Sequence, residues 1–205
     1  MAARGAYQRA TTEKIEELSD KLARHIRLAG GVEGVLWIVG GAVLIWYSTT
    51  IAETCSAPQL HTVYLGIGIA DCFEGCGCLV GAANAEAPAE LLQHAILHHK
   101  YETEGRMEES EQQLDQVKHD FKPYALNFTA RCCCSCICFI TVVWLFVWGS
   151  SMLPQATSGC GDASTVFGAV LAVHMAVILL MCCFGQFVQN SVKADFAVAI
   201  PPPGP

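Results

Sequence analysis

The chain has 205 residues, of which 53% are hydrophobic and only 15% are charged, and its net charge is −7. Soluble domains carry about a quarter charged residues, so this composition argues against an ordinary soluble domain. We therefore expect an integral membrane protein whose main partner is the lipid bilayer, with no nucleic-acid partner.

Residues 1–28 predict a cytoplasmic amphipathic helix. Thr11 or Thr12 is placed to cap it, and four aliphatic side chains recur at helical spacing along one stripe: Ile15, Leu18, Leu22 and Ile26. Such a helix either lies on the membrane surface or docks on the loop after the second span, and the lack of a large aromatic side chain favours docking. No cleavable signal is visible, so the first span should direct the chain to the secretory pathway or plasma membrane.

Residues 29–83 predict the first pair of transmembrane helices. Residues 35–51 are uncharged, and residues 63–83 form a second apolar stretch; a span needs about 20 mostly apolar residues. In lipid, helices associate where small residues permit close backbone approach. The candidate packing positions are Gly40, Gly41, Gly66, Ala70, Gly77 and Gly81.

The positions of the basic residues decide how often the chain crosses the membrane. All twelve lysines and arginines lie in residues 1–28, in residues 84–131 or at Lys193. Positive residues mark the cytoplasmic side of short loops. Four spans place all twelve on that side, whereas three spans divide them between two sides. We therefore predict an all-α protein with a four-helix transmembrane bundle and both termini in the cytoplasm.

Two cysteines, Cys55 and Cys160, stand alone in the two predicted outer loops. The lumenal side is oxidising and these are its only thiols, so we predict a disulfide between them. A bond that closes so long a loop would contribute on the order of 4 kcal/mol. Two free thiols, or bridges between subunits, are the alternatives.

Residues 84–131 predict a cytoplasmic helical hairpin. Pro88 suits the first turn of one helix, Gly105 ends the helical pattern, and a second helix over 106–122 stops before Pro123. The nine acidic and five basic residues of this region favour packing against the basic N-terminal helix, although exposed ion pairs add little energy.

Residues 132–192 predict the second pair of transmembrane helices, and residues 193–205 predict a flexible proline-rich tail. The third span opens with a run of cysteines at the cytoplasmic boundary, where reversible S-palmitoylation occurs. The lipidation candidates are Cys132, Cys133 and Cys134. The alternative is that these cysteines pack as small hydrophobic side chains.

Four ionisable side chains lie inside the predicted spans: Glu33, Asp71, Glu74 and His174. Asp71 and Glu74 share one helix face, and Asp71 and His174 each lie about ten residues, roughly 15 Å, from the outer boundary. A charge at that depth costs at least ~2.5 kcal/mol, so such groups face the bundle interior and pair. They form either a hydrogen bond that fixes packing or the polar steps of a proton or cation pathway.

The outer loops resemble those of a known family. The resemblance is carried by Cys55-Ser-Ala-Pro-Gln-Leu with Tyr64-Leu65-Gly66, and by Trp144 and Trp148-Gly149 followed by Cys160-Gly161. These residues look like the corresponding regions of the transmembrane-protein-272-like family, with His61 where that family has a proline. The resemblance implies a small four-span membrane protein with paired outer cysteines, and it implies no activity.

No catalytic motif accompanies these features. The sequence has no G-x-S-x-G, H-E-x-x-H, P-loop or dinucleotide fingerprint, so we expect no enzyme activity and no cofactor. The loop histidines His94, His98 and His99 lack a metalloenzyme motif around them, and no metal is expected. We expect a self-assembling homo-oligomeric scaffold or organiser with a cytoplasmic surface for a protein partner. The alternative is an oligomeric ion or proton channel that uses Asp71, Glu74 and His174.

Overall fold

The structure, a computed structural model, describes residues 2–55, 57, 59–155, 160 and 162–199, and this part of the chain contains helices and no strand. The elements are α1 (Ala2–Thr54), α2 (Leu60–Ala83), α3 (Glu86–Thr103), α4 (Met107–Met152), a 3-10 turn (Leu153–Gln155) and α5 (Ala163–Ala199). By length and composition, α1, α2, α4 and α5 each contain a segment able to cross a membrane. The all-α prediction is confirmed, as is the number of membrane-length helices.

The chain forms two compact units. The residues of unit 1 come from 1–29, 81–129 and 185–205, and those of unit 2 come from 30–80 and 130–184. The basic residues divide unevenly between the two units, because eleven of the twelve lysines and arginines belong to unit 1. The twelfth, Arg131, is the second residue of a unit 2 segment.

The N-terminal helix is longer than predicted. α1 begins at Ala2 instead of at a cap on Thr11 or Thr12, because the alanines, arginines and Gln8 before Thr11 favour helix. Ile15 on the predicted stripe is only 2% exposed. Within unit 1, Arg27 of α1 also pairs with Glu86 of α3 at 2.7 Å. The ion pair joins the N-terminal helix to α3 of the loop, and the burial of Ile15 indicates that the predicted stripe is packed.

The turn between α3 and α4 is a Schellman motif closed by Gly105, as the predicted helix end requires. Gly105 has φ +73°, a left-handed conformation that glycine adopts without steric penalty. Its N–H donates to the Glu102 carbonyl at 3.1 Å, and the Arg106 N–H donates to the Tyr101 carbonyl at 2.9 Å. Hydrogen bonding to Glu109, in the first turn of α4, raises the pKa of the Arg106 guanidinium.

Two predicted helix ends are wrong. α4 continues through Pro123 to Met152, and α5 continues past residue 192 to Ala199. A proline costs a helix about 3 kcal/mol and one hydrogen bond, whereas a break would leave about four N–H and four C=O groups without intrahelical partners. The alanines after Lys193 favour continued helix. Residues 200–205 of the predicted tail lie outside the described residues.

Helices α1 and α2 meet through two pairs of glycines, Gly34 with Gly75 and Gly41 with Gly68. A Cβ on Gly41 would lie 2.5 Å from the Gly68 carbonyl oxygen, and a Cβ on Gly75 would lie 2.7 Å from that of Gly34. The two backbones are therefore in direct contact. The seven-residue spacing within each helix brings both pairs onto one face, and such close approach is how helices associate in lipid.

The six predicted packing positions divide into two groups. Gly41 meets α2, Ala70 is buried, and a Cβ on Gly66 would lie 2.8 Å from Leu145 of α4; Gly81 is half-buried. The prediction is wrong for Gly40 and Gly77 as contacts within one chain, because a Cβ on either would meet nothing within 4 Å. Each residue turns a helix by about 100°, so these glycines point away from the face that their neighbours Gly41 and Gly75 present.

One end of unit 2 is closed by the predicted disulfide and an aromatic core. Cys55 and Cys160 are bonded, with their Cα atoms 4.1 Å apart. The Tyr64 hydroxyl donates to the Ala163 carbonyl at 2.6 Å, which ties α2 to α5. The buried core around them consists of Leu44, Ile51, Leu60, Val63, Tyr64, Ile67, Leu145, Phe146, Cys160, Ala163 and Phe167.

Substitution of Gly41 by alanine should destabilise the bundle by about 1–3 kcal/mol, because the added methyl group forces two backbones apart. Gly31→Ala in the same helix is the matched control and should lose no stability, since its methyl group meets open space. Unfolding by increasing SDS in mixed micelles measures both. Equal losses for the two variants would contradict the contact.

Candidate functional site

The polar side chains inside unit 2 centre on Asp71 of α2 and His174 of α5. His174 Nε2 lies 3.0 Å from Asp71 Oδ1. The two residues are only 4% and 8% exposed, so the bond is shielded from solvent. The pairing that their equal depth predicted is confirmed.

The protonation of this pair follows from its second hydrogen bond. His174 Nδ1 lies 2.8 Å from the Val170 carbonyl oxygen, and a carbonyl only accepts, so Nδ1 carries a proton. Nε2 then either accepts a proton from a neutral Asp71 or donates one to its carboxylate. In both arrangements one proton lies between Nε2 and Oδ1, and the pair has no net charge. The pair is therefore compatible with an apolar surrounding.

Aromatic rings from the other two long helices hold the imidazole. The ring centroid of Trp37 in α1 lies 5.1 Å from that of His174, and the centroid of Phe146 in α4 lies 5.3 Å from it. All four membrane-length helices therefore contribute to the site. The sequence analysis missed Trp37 and Phe146, because an aromatic residue inside an apolar segment carries no signal of its partner.

A second layer of polar contacts lies one turn further along α2. The Ser135 hydroxyl of α4 donates to Glu74 Oε1 at 2.9 Å, and Trp37 Nε1 donates to Glu33 Oε1 at 3.4 Å. Trp37 thus joins the two layers, since its ring contacts His174 and its N–H bonds Glu33. The four predicted intramembrane polar residues all have hydrogen-bond partners.

The polar face of α2 continues one more turn, to Cys78. This thiol is 2% exposed. Asp71, Glu74 and Cys78 recur at spacings of three and four residues and so share one face of the helix. They form a polar track that runs from the Ala83 end of α2 towards its middle.

The polar track stops at Asp71. In the opposite direction along α2, the inward residues Ile67, Tyr64 and Leu60 are fully buried in the aromatic core. The Tyr64 hydroxyl is bonded to the Ala163 carbonyl, and the Ser48 hydroxyl is bonded to the Ile45 carbonyl at 2.6 Å. Among the described residues, His61 Nδ1, near the start of α2, is a buried side-chain nitrogen without a hydrogen-bond partner. Along α2, the buried side chains of Tyr64 and Ile67 lie between it and Asp71.

Two of the three predicted loop histidines connect α3 with α4. His94 Nδ1 donates to Gln113 Oε1 at 2.8 Å, and His98 Nδ1 donates to the Ser110 carbonyl at 3.0 Å. His99 lies 3.9 Å from Glu102 on its own helix. No group of three metal-ligating side chains is assembled in the part of the chain that the structure describes.

The predicted lipidation candidates are accessible. Cys132, Cys133 and Cys134 are all free and exposed on α4, and so is Cys136. The alternative prediction is that these cysteines are buried among small hydrophobic side chains. Within this chain they are exposed instead. They come directly after Arg131, near the start of the unit 2 segment of α4.

The chain was compared with protein families, curated proteins and solved structures, and no family model, curated protein or solved structure matches it. The resemblance to the transmembrane-protein-272-like family therefore stays a prediction. What the site can do chemically is bind one proton between Asp71 and His174 and fix the rotation of four helices around that bond.

Substitution of Asp71 by leucine should destabilise the bundle by about 1–3 kcal/mol, because it leaves the buried Nε2 of His174 without a hydrogen-bond partner. The double variant Asp71→Leu/His174→Leu should lose less than the sum of the two single losses. Asp71→Asn is the matched control: its amide N–H donates to Nε2, so the hydrogen bond persists. SDS unfolding measures the stability of the wild type, the two single leucine variants, the double variant and Asp71→Asn. Strictly additive losses for the two leucine substitutions would refute the coupling.

Proposed function

We propose that the chain is a non-enzymatic integral membrane scaffold, built as a four-helix transmembrane bundle with a cytoplasmic helical hairpin. One observation carries this proposal: the buried Asp71 and His174 in the middle of unit 2 satisfy each other, and an apolar core closes the half beyond them. An interior closed in this way suits a structural element. Binding and assembly then take place on the surfaces of the helices that face away from this interior.

The outward faces of unit 2 support a membrane location. Large apolar side chains of α1 are exposed along the segment that is long enough to span a bilayer: Val35, Leu36, Val39, Val43 and Trp46. Monomeric soluble proteins rarely expose contiguous patches of this kind. Lipid is the surrounding in which such a face is stable.

The distribution of charge supports the orientation. Because the lysines and arginines cluster in unit 1 and at Arg131, we place residues 1–28, the hairpin and both termini in the cytoplasm. The disulfide then lies on the oxidising side, which fits the secretory pathway or the plasma membrane.

The hairpin provides the interaction surface. Met107 and Phe121 of α4 are 61% and 53% exposed in unit 1, although they lie in the sequence region that is most polar. Exposed apolar side chains rimmed by charged residues mark protein-binding surfaces. We assign this surface to a cytoplasmic protein partner.

Lateral assembly of several copies is part of the proposal. Gly40 and Gly77 face open space within one chain, so their close-approach surface is available to a neighbouring copy. In lipid, such positions let two backbones pack without a hydrophobic drive. Two differently tagged copies should therefore co-purify from the membrane.

Trypsin tests the orientation, because it cleaves only after lysine and arginine. In sealed microsomes whose cytoplasmic face is outside, we expect digestion to leave two apolar fragments. One begins at Leu28 and the other begins at His119 or Cys132. The two should migrate together until the Cys55–Cys160 bond is reduced.

A lumenal marker protein that stays intact is the control for sealed vesicles. A chain with an odd number of spans would keep either residues 1–28 or the loop protected from trypsin. Protection of the full-length chain would indicate the inverted orientation. Either outcome would overturn the cytoplasmic placement.

An oligomeric proton or ion channel is the second candidate. The observation that favours it is the polar track of Asp71, Glu74 and Cys78, which reaches the middle of α2 from one end. Because the aromatic core closes the other half of a single chain, a complete passage would have to form between chains.

Proton flux into liposomes distinguishes the two functions. The scaffold should conduct no faster than liposomes without protein, as read by a pH-sensitive dye inside the vesicles. A channel through Asp71 should conduct, and Asp71→Asn should abolish its flux, because asparagine keeps the bond to His174 but cannot release a proton. Proton flux that the wild type shows and Asp71→Asn lacks would refute the scaffold and support the channel.

A further inference from the structure

Four exposed free cysteines lie within five residues of α4: Cys132, Cys133, Cys134 and Cys136. Their directions differ, because each residue turns the helix by about 100°. Sequence alone treats the first three as equivalent. The contacts of α4 with the rest of unit 2 separate them.

Ser135 fixes the rotation of this part of α4. Its hydroxyl bonds Glu74 of α2 at 2.9 Å, so the Ser135 side of the helix faces the bundle. Cys133 is two residues earlier and points about 160° away from that side. Cys132 is turned only about 60° from Ser135, which places it nearest the interior.

A continuous apolar stripe leads away from Cys133. Ile137, Ile140, Trp144 and Val147 come after it at 4, 7, 11 and 14 residues, the spacing of a single helix face. Their exposed fractions range from 59% to 66%. An acyl chain attached to Cys133 would lie along this stripe, in the same lipid that covers it.

Cys136 and Cys134 lie on different faces of α4 and therefore have different neighbours along the helix. Cys136 borders the stripe, since Ile140 lies one turn further along on the same side. Cys134 shares its side with Leu145, eleven residues later, which is only 5% exposed and belongs to the buried core. Cys134 itself is exposed, but the side of α4 that carries it meets the buried core about three turns further along, so an acyl chain there would lack a continuous exposed apolar stripe.

We propose that Cys133, with Cys136 as the secondary site, is S-acylated by a long-chain fatty acyl group taken from acyl-coenzyme A. The Cys133 thiolate attacks the thioester carbonyl carbon, the bond to the coenzyme A sulfur breaks, and coenzyme A leaves as the thiol with the proton from Cys133. No oxidant or reductant is needed. The proposal rests on the cytoplasmic placement of Arg131, because acyl-coenzyme A is a cytoplasmic donor.

Mass-tag exchange on the full-length protein from eukaryotic cells tests the assignment. Free thiols are blocked, thioesters are cleaved with hydroxylamine, and the released thiols are coupled to a maleimide polymer that shifts the band on a gel. The wild type should shift. Cys133→Ser should lose the larger part of the shifted protein, and Cys133→Ser/Cys136→Ser should lose all of it.

Cys132→Ser and Cys134→Ser are the matched controls and should shift as the wild type does. Formation of the Cys55–Cys160 bond on a non-reducing gel checks that each variant folds. A shift that persists in Cys133→Ser/Cys136→Ser, or one that all four serine variants reduce equally, would overturn the assignment. An unshifted wild type whose trypsin digest still shows cytoplasmic loops would overturn acylation alone and leave the proposed topology intact.

Discussion

The backbone contact between α1 and α2 is the constraint on which unit 2 depends. A membrane supplies no hydrophobic drive between helices, so the contact must come from close packing, and Gly34–Gly75 with Gly41–Gly68 provide it. Trp37 lies between the two α1 glycines, so this contact also sets where its ring meets His174. A shift of α1 would therefore change both the glycine contact and the packing of Trp37 on His174.

The shared proton explains how two ionisable groups persist in an apolar interior. Nδ1 of His174 keeps its own proton, because it donates to the Val170 carbonyl. One further proton lies between Nε2 and Asp71 Oδ1, so the pair has no net charge. Burial of a lone charge there would cost several kcal/mol. This bond specifies which faces of α2 and α5 meet, since no other position on either helix offers the complementary group at the same depth among the described residues.

What could be predicted from the sequence were the features that depend on one helix or on topology. Apolar length marked the four long helices, the side of the membrane paired Cys55 with Cys160, and equal depth paired Asp71 with His174. The glycine partners could not be predicted, because they depend on how two helices rotate about their axes. The small size of its side chain pointed to Gly77, whereas the contact uses Gly68 and Gly75, which are seven residues apart.

The two ends of unit 2 are held by different forces. At the disulfide end, a covalent bond, the Tyr64–Ala163 hydrogen bond and a fully buried aromatic core act together. Towards the Ala83 end of α2, the contacts are single hydrogen bonds of Glu74 and Glu33 to one side chain each. Because local opening favours the regions with fewer buried contacts, the disulfide end is the fixed one. The aromatic core therefore separates the Asp71–His174 pair from the disulfide end, and the polar side chains next to the pair lie on its Ala83 side.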